Sequence, residues 1–398
     1  MEINVSFVLQ SVGLPALSDI ARQAAGISEF ELLDWRIEQI GGGLGNPVSV
    51  GLYRVAGHGR VADHGRAGGH GRAGGHGRAG GTSVPWSTIL KVIQSPANAG
   101  WSNFGEAEDP AHWNYWKREL FAYRSGFLDT LPAGMVAPRC YAIQELPGDM
   151  ACLWLEEITD AYVDVWPPER YSLAARHLGR LNGVYAGGRG QVIEQYPWLA
   201  RQRLRQWRDT LPEWQALDWD HPLVRAHYPA AETGNMRRML RDSEEFLVHL
   251  ERLPLTLCHG DAYPTNFKSR HTTGGEVTVA LDWALAHAGP VGYDLGSLMF
   301  GAYLNLPGTS LAELDAALFA AYLAGLRDSG CEIDNATVRF AYAASAVFLI
   351  ALFQLMMLHH QIEQGESVTA EAPAHANGRP CFEGAMADMA VELRDALT

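Results

Sequence analysis

The sequence has little cysteine and little charge. Its five cysteines among 398 residues are scattered, odd in number and form no C-x-x-C pair. This pattern disfavours a disulfide framework or a zinc site and is typical of reduced thiols in a cytosolic protein. Charged residues make up 19% of the chain and hydrophobic residues 47%. That balance excludes global disorder and provides enough apolar side chains for a large core.

Basic residues are scarce relative to acidic ones. Lys and Arg number 31 against 45 Asp and Glu, which gives a formal net charge of −14. Nucleic acid is not an expected partner, because binding it needs clustered Lys and Arg. An acidic surface instead suits a cationic small molecule. The N-terminus lacks the basic start of a signal peptide, so we expect a cytoplasmic location.

An apolar run at residues 340–358 reaches the length of a membrane span, with only Ser345 and Gln354 clearly polar. No basic cluster flanks this run, as a membrane orientation signal would require. We therefore interpret the run as a buried helix of a helical lobe and expect no membrane association.

The most informative stretch contains the segment L-C-H-G-D-A-Y-P-T-N-F-K, in which Asp261 and Asn266 lie five residues apart. A glycine and a proline in this segment oppose regular structure, so both residues are predicted to lie on a loop. Asp282 then ends an apolar run that is typical of a buried strand.

This order of acid and amide groups is the layout of a kinase active site. In that chemistry one Asp accepts the proton of the substrate hydroxyl, while an Asn and a second Asp hold Mg²⁺ on the nucleotide phosphates. Asp and Asn suit the task because they present hard oxygen ligands on short side chains. We predict that Asp261 is the catalytic base and that Asn266 and Asp282 are the metal ligands.

At these residues the sequence resembles the aminoglycoside phosphotransferase family, the small-molecule branch of the protein-kinase-like fold. His259-Gly260-Asp261, closed by Asn266, is the form of the catalytic loop typical of that branch. Asp282-Trp283-Ala284 stands where protein kinases have D-F-G, and a downstream Gly-Pro and Asp294-Leu295-Gly296 also match. The resemblance implies a nucleotide-dependent kinase of a small hydroxylated acceptor. We expect Asp294 to brace the catalytic loop.

A glycine-rich turn follows a predicted strand at residues 32–40. From Gly41 it reads G-x-G-x-x-N-x-V, the kinase glycine-loop pattern with Asn46 in place of the third glycine. Glycines let backbone N–H groups approach phosphates closely. We predict that Gly41, Gly43 and Asn46 contact the nucleotide; a turn without any ligand is the alternative.

Lys91 lies among apolar neighbours in a predicted strand at residues 87–94. A buried lysine costs free energy unless it is paired. In kinases a lysine at this position grips the nucleotide phosphates and pairs with a helix glutamate. The predicted partner is Glu119, on a helix spanning roughly residues 110–128. A lysine on an edge strand that reaches solvent is the alternative.

The resemblance also places the hinge between two lobes near Glu156 and Ile158. Backbone groups there would contact the purine, so both residues are predicted to bind the nucleotide. The sequence leaves the choice between ATP and GTP open.

Residues 58–81 consist of four six-residue units that begin His-Gly-Arg. Their apolar content is too low for them to fold alone. We interpret them as a flexible insertion in a hairpin turn between strands at residues 48–56 and 84–93. Metal or anion binding by the repeated His and Arg is the alternative, although glycine-rich spacing fixes no ligand geometry.

The expected fold is α+β, bilobal and protein-kinase-like. Residues 1–155 would form a small antiparallel-sheet N-lobe with one helix, and residues 156–398 a larger, mainly helical C-lobe with the catalytic loop and acceptor site. The expected reaction transfers the γ-phosphoryl group of ATP or GTP, with Mg²⁺, to a hydroxyl of a small acceptor. An aminoglycoside is the first candidate. A metabolic kinase of a sugar, homoserine or amino alcohol and a non-catalytic nucleotide-binding protein are the alternatives. The oligomeric state is open.

Overall fold

The computed structural model of the protein describes residue 8 and residues 11–42, 48–61, 82–99, 108–162, 165–186, 191–365 and 379–397. The chain divides into two compact units. The first unit comprises Met1–Gly105 and Pro138–Ile158, and the second comprises Glu106–Ala137 and Thr159–Thr398.

The described helices and strands follow one another along the chain. They are α1 (Leu14–Ala25), β1 (Phe30–Gly41), β2 (Ser49–Val61), β3 (Thr82–Gln94), α2 (Arg118–Arg124), β4 (Met135–Val136), β5 (Cys140–Leu146), β6 (Met150–Leu155), α3 (Pro168–Tyr185), α4 (Gln191–Gln195), α5 (Arg203–Thr210), α6 (Pro222–His227), α7 (Gly234–Arg241), α8 (Ser243–Arg252), β7 (Leu255–Cys258), β8 (Phe267–Thr272), β9 (Gly275–Ala280), β10 (His287–Pro290), α9 (Tyr293–Asn305), α10 (Leu311–Asp328), α11 (Asn335–Ala346), α12 (Leu352–Glu363) and α13 (Phe382–Leu397).

The first unit is an antiparallel sheet with one helix packed on it. The strand order is β1-β2-β3-β6-β5, which puts β3 at the centre. Leu17 and Ile20 of α1 share a buried core with Trp86 of β3 and Trp154 of β6. The alternation of β3, in which Trp86 and Leu90 are buried, is the period-two pattern expected of a strand.

Strands β2 and β3 extend further than the sequence predicted. Gly57 pairs with Trp86, and Gly59 pairs with Val84, so the first repeat unit continues β2 as far as Val61. A side chain on Gly59 would collide with the ring of Phe30, so its glycine permits this close packing. The prediction of a flexible turn is therefore wrong for residues 58–61. The rest of the insertion, residues 62–81, lies outside the described residues.

The helix predicted over residues 110–128 is also shorter than expected. Only Arg118–Arg124 is α-helical; turns precede it, and a short 3₁₀ helix follows at Phe127–Thr130. The reason lies in Arg118, whose buried guanidinium takes the carbonyl oxygens of Pro110, His112 and Trp113 as acceptors. Those carbonyls therefore face the arginine instead of forming a continuous helical ladder.

The second unit is mainly helical and contains two small sheets. Strands β8 and β9 form a hairpin, with β4 parallel to β9, while β10 pairs with β7. Residues Asn335–Glu363, from α11 through a π-helical turn to α12, are long and apolar enough to cross a membrane, but 78% of their most apolar window is buried inside the structure. The predicted buried helix is thus present. The α+β class, an antiparallel-sheet part followed by a mainly helical part, is confirmed.

Candidate active site

Two strand ends bring the predicted base and metal ligands together. Asn266 directly precedes β8, and Leu281 directly follows β9. Because Phe267 pairs with Ala280 in this hairpin, the Leu281 N–H reaches the Asn266 carbonyl oxygen at 2.8 Å. The end of the loop and the residue before Asp282 are therefore fixed against each other.

Asp261 and Asn266 are in direct contact. The Asn266 Nδ2 group donates to the Asp261 Oδ2 at 2.7 Å and to the Asp261 backbone oxygen at 3.0 Å. These bonds orient the Asn266 amide, so that its Oδ1 remains as an oxygen ligand. They also hold the Asp261 carboxylate by one oxygen.

His259 links the loop to the segment that carries Asp282. The Asp261 N–H donates to His259 Nδ1 at 3.3 Å, and His259 Nε2 lies 2.8 Å from the Leu281 carbonyl oxygen. Nδ1 is thus an acceptor, and Nε2 carries the proton that Leu281 accepts. The ring packs between Trp283, at 4.6 Å, and Phe267, at 5.2 Å between centroids. The fully buried imidazole ring therefore fixes both acidic positions.

Asp294 holds the same loop through two backbone hydrogen bonds. Its Oδ2 accepts from the His259 N–H and its Oδ1 from the Gly260 N–H, each at 2.9 Å. Asp294 is fully buried at the start of α9. Gly260 has a φ of 87°, and a side chain there would collide with the Leu285 carbonyl oxygen. The loop consequently needs glycine at this position.

The environment of Asp261 raises the pKa of its carboxyl group. Burial is the main cause and the charge of Asp282 adds to it, while His259, Arg203 and the Asn266 bond oppose the rise. Asp261 is half-buried, so part of its surface stays accessible. The contribution of Asp282 indicates that its carboxylate lies near that of Asp261.

Asp282 adopts a left-handed backbone conformation, with a φ of 57°. Its Oδ1 accepts from the Ala284 N–H at 3.4 Å and caps the turn at Trp283–Leu285. Non-glycine residues in this conformation are uncommon and occur often at functional sites. The donor set fits Mg²⁺, because the ion binds one or two protein oxygens and completes its shell with phosphates and water.

Arg118 and Arg203 belong to the site's framework, and no sequence pattern indicates either of them. Arg118 is fully buried and donates to the Ala284 carbonyl oxygen at 3.1 Å, which holds the turn that Asp282 begins. Arg203 donates to the Gly260 carbonyl oxygen and, at 2.8 Å, to the Tyr293 hydroxyl. Both contacts join residues far apart in sequence, so no local motif marks them.

The predicted phosphate lysine lies at the centre of the first unit's sheet. Lys91 pairs with Leu52 of β2 and Leu153 of β6, and only 9% of its surface is exposed. The alternative of an edge-strand lysine is therefore wrong. Glu119 is buried in α2, which belongs to the second unit. The pairing of Lys91 with Glu119 stays a prediction.

The structure describes only some of the other residues that were predicted to contact the nucleotide. Gly41 ends β1, whereas Gly43 and Asn46 lie outside the described residues. Glu156 follows β6, where its N–H donates to the Arg139 carbonyl oxygen at 2.8 Å and its Oε2 accepts from the Arg139 N–H at 3.1 Å. Ile158 ends the first unit. Their contact with a nucleotide stays a prediction.

The loop, its brace and the capped acidic turn, which carry the predicted kinase residues, lie on the second unit. Comparison with protein-family models agrees: residues 123–333, more than half of the chain, match the phosphotransferase enzyme family. The chain belongs to this family. The match includes Asp261, Asn266 and Asp282, and it begins after Lys91.

Several solved structures are similar to this chain at low identity. A microcompartment-associated aminopropanol kinase is 14% identical, with 94% of this chain and 97% of that chain covered and a TM-score of 0.48. A spectinomycin phosphotransferase in complex with ADP and spectinomycin is 11% identical, with 96% and 98% covered and a TM-score of 0.47. A choline kinase from Cryptosporidium parvum is 11% identical, with 99% and 96% covered and a TM-score of 0.45. The comparison with curated proteins found no significant match.

Proposed function

We propose that the protein is a small-molecule kinase that transfers the γ-phosphoryl group of ATP or GTP to a hydroxyl of its acceptor. The observation that carries this proposal is the contact between Asp261 and Asn266 beside Asp282. Membership of the phosphotransferase family supports it.

Each site residue has one role in this proposal. Asp261 accepts the proton of the acceptor hydroxyl as the oxygen attacks phosphorus. Asn266 and Asp282 hold Mg²⁺, which, when bound, neutralises charge on the phosphates. Lys91 grips the phosphates, and Glu119 positions Lys91. The nucleotide contacts Gly41, Gly43 and Asn46 of the glycine-rich turn and Glu156 and Ile158 near the hinge.

The raised pKa of Asp261 suits a general base. A carboxylate with a higher pKa has a greater affinity for the hydroxyl proton. The hydrogen bond from Asn266 to Asp261 Oδ2 keeps that carboxylate in a fixed direction. Asp294 and His259 hold the loop so that this direction does not change.

The reaction is tested by phosphate transfer from labelled ATP, and separately GTP, across a panel of acceptors with and without Mg²⁺. The panel contains aminoglycosides, macrolides, homoserine, choline, amino alcohols and simple sugars. We expect Mg²⁺-dependent transfer to one class. Transfer to none of them, despite measurable Mg²⁺-nucleotide binding, would favour the non-catalytic alternative.

The acceptor's class follows in part from charge. The net charge of −14 favours a cationic acceptor by steering and disfavours nucleic acid. An aminoglycoside and an amino alcohol both meet this condition, whereas a neutral sugar does not gain from it. The scattered cysteines fit a cytoplasmic enzyme.

A further inference from the structure

A cavity of about 330 Å³ lies within the second unit, beside the start of α5. Arg201, Arg203 and Arg205 line one side of it, and mostly apolar side chains line the rest. Residues 201–208 contain four arginines, in a chain whose net charge is −14. Positive charge is therefore concentrated at this cavity, and the reaction proposed above places no substrate there.

Arg203 is the unusual member of this wall. Only 4% of its surface is exposed, and no ion pair joins it to an acidic side chain among the residues that the structure describes. Its hydrogen bonds to the Gly260 carbonyl oxygen and the Tyr293 hydroxyl both leave from Nη1. A buried cation without a counter-ion is costly, which indicates that an anion supplies the missing partner.

The other two nitrogens of the Arg203 guanidinium donate to no acceptor in the described part of the chain. Protein atoms close off Nε, whereas Nη2 keeps some accessible surface. Nη2 is therefore the nitrogen that a ligand in the cavity can reach.

Arg118, which is fully buried in the same unit, provides the contrast. Its Nε, Nη1 and Nη2 all donate to backbone carbonyl oxygens, including those of Trp198, Trp113 and Pro110. Arg203 has no such set of carbonyl oxygens, and it borders a cavity that Arg118 does not line. The contrast indicates that the unpaired side of Arg203 faces space that a ligand can enter.

The remaining charges of the wall leave this site positive. Arg205 lies 2.6 Å from Glu244 and 2.8 Å from Glu251, so Glu251, the acid that lines the cavity, is already paired. Arg201 is exposed and has no ion pair among the described residues. No side chain caps the N-terminus of α5, and uncapped helix N-termini favour anions.

The rest of the wall limits the kind of anion. Burial lowers the pKa of His287, which lines the cavity, so this residue stays neutral and adds no charge. The volume lies at the lower end for ligand sites, which favours a compact molecule. Arginine binds planar carboxylates well, and apolar walls favour a ligand with a hydrocarbon part. The apolar wall includes Ile193, Leu247, Leu250, Leu255 and Pro290.

Arg203 connects this cavity to the base. The Gly260 carbonyl that it holds belongs to the same peptide group as the Asp261 N–H, which donates to His259 Nδ1 at 3.3 Å. Burial is the main cause of the raised pKa of Asp261, and the Arg203 charge opposes the rise. A ligand that draws the guanidinium towards itself therefore disturbs the peptide group from which the Asp261 side chain projects.

We propose that this cavity binds a compact organic anion, a carboxylate with a small hydrocarbon body, and that the bound anion slows phosphoryl transfer through Arg203. The carboxylate lies against Arg203 Nη2 on the side of Arg201, and the hydrocarbon body packs on the leucines. Binding weakens the bond from Arg203 to the Gly260 carbonyl oxygen. The binding site stands without the kinase function, whereas the effect on turnover rests on it.

Binding is tested on the full chain without nucleotide. Benzoate and hexanoate are titrated by calorimetry beside benzamide and hexanamide, which keep the shape and lack the charge. At least one carboxylate should bind about tenfold or more tightly than its amide, the effect of a hydrogen bond to a charged group. Inorganic phosphate, which lacks a hydrocarbon body, should bind more weakly than that carboxylate.

Two variants locate the site. Arg203→Gln should remove the preference for carboxylate over amide. Arg201→Gln should weaken carboxylate binding by a smaller factor, about two- to fivefold, and leave turnover without the anion unchanged. Arg225→Gln is the matched control, because Arg225 is an exposed arginine of α6 outside the cavity wall. Thermal unfolding checks the fold of each variant, and Arg201→Gln keeps the test decisive if Arg203→Gln does not fold.

Turnover is then measured with the acceptor that the panel identifies. A saturating carboxylate should lower kcat about fivefold or more, without competing with nucleotide or acceptor. The inference is overturned if no carboxylate binds better than its amide, if the preference survives Arg203→Gln, or if the bound carboxylate leaves kcat unchanged or acts by competition. Carboxylate binding in a protein that transfers phosphate to no acceptor would contradict the effect on turnover and the kinase function, and leave the binding site standing.

Discussion

Single hydrogen bonds to buried residues set the position of the proposed base. Asp294 accepts from two consecutive backbone N–H groups, those of His259 and Gly260. Each buried N–H left without an acceptor costs about 1–3 kcal/mol. One carboxylate therefore decides whether the loop keeps the shape that aims Asp261.

We predict that Asp294→Asn lowers kcat without a matching loss of nucleotide affinity. An amide can offer only one oxygen to the two N–H groups, so the loop shifts and Asp261 is misplaced. A shift of this kind costs on the order of 10²-fold in rate. Steady-state kinetics and nucleotide titration measure the two effects separately.

Asp334→Ala is the control for this prediction. Asp334 caps α11 and accepts from the Thr337 N–H at 2.9 Å, and alanine has no side-chain acceptor, so the loss of this cap should lower the unfolding temperature and leave kcat near normal. Equal loss of kcat in both variants would show that general destabilisation, and not loop geometry, explains the effect of Asp294→Asn.

Residue patterns predicted the parts of the site that are close together in sequence. Asp261 and Asn266 share one loop, and the chain shows a glycine and a proline near them that oppose helices and strands. Arg118 and Arg203 left no such trace. Arg118 contacts Ala284 and Arg203 contacts Tyr293, each across a long stretch of sequence.

At the scale of elements, the crossing of α3 and α10 supports the catalytic loop. Asn182 of α3 donates to the Leu257 carbonyl oxygen at 2.8 Å and to Asp294 at 3.4 Å. The two helices approach closely because Gly179 and Gly325 lie at the crossing. A side chain on either would collide with backbone of the opposite helix.

We predict that Gly325→Ala destabilises the protein by about 1–3 kcal/mol, the usual cost of overpacking. The added methyl group would collide with the Arg176 carbonyl oxygen, which as backbone cannot move aside without shifting α3. Urea unfolding measures the loss. Gly234→Ala in α7 is the control: nothing lies within 4 Å of the added atom there, so stability should hold or rise slightly. Equal stability of the two variants would contradict the close-crossing account.

Element positions were predicted well where periodicity was strong and poorly where tertiary contacts decided the outcome. The buried helix predicted from the apolar run at residues 340–358 is present within Asn335–Glu363. The helix predicted over residues 110–128 was too long, because Arg118 takes the carbonyls that helical bonds would use. Strand β2 was predicted too short, because pairing with two neighbouring strands extends a glycine-rich segment that has little intrinsic preference.

At the scale of the whole molecule, the family match covers the catalytic loop but not the first three strands of the sheet. The match covers residues 123–333 and so includes the catalytic loop. Strands β1–β3, with Lys91 and Gly41, precede it. The proposed phosphate-gripping role of Lys91 therefore depends on its burial in the central strand and on the kinase pattern. The domain limits at residues 155 and 156 stay a prediction.

The central claim is that Asp261 is the base of a phosphoryl transfer, and one measurement tests it most directly. The rate of labelled phosphate transfer from nucleotide to the acceptor is compared between the wild type, Asp261→Asn and the exposed-surface control Asp220→Asn. Asp220 is suitable because 84% of its side chain is exposed. The account predicts that Asp261→Asn loses about 10²- to 10⁴-fold in kcat while Mg²⁺-nucleotide binding holds and the control stays active. Turnover in Asp261→Asn equal to that of the control would contradict it.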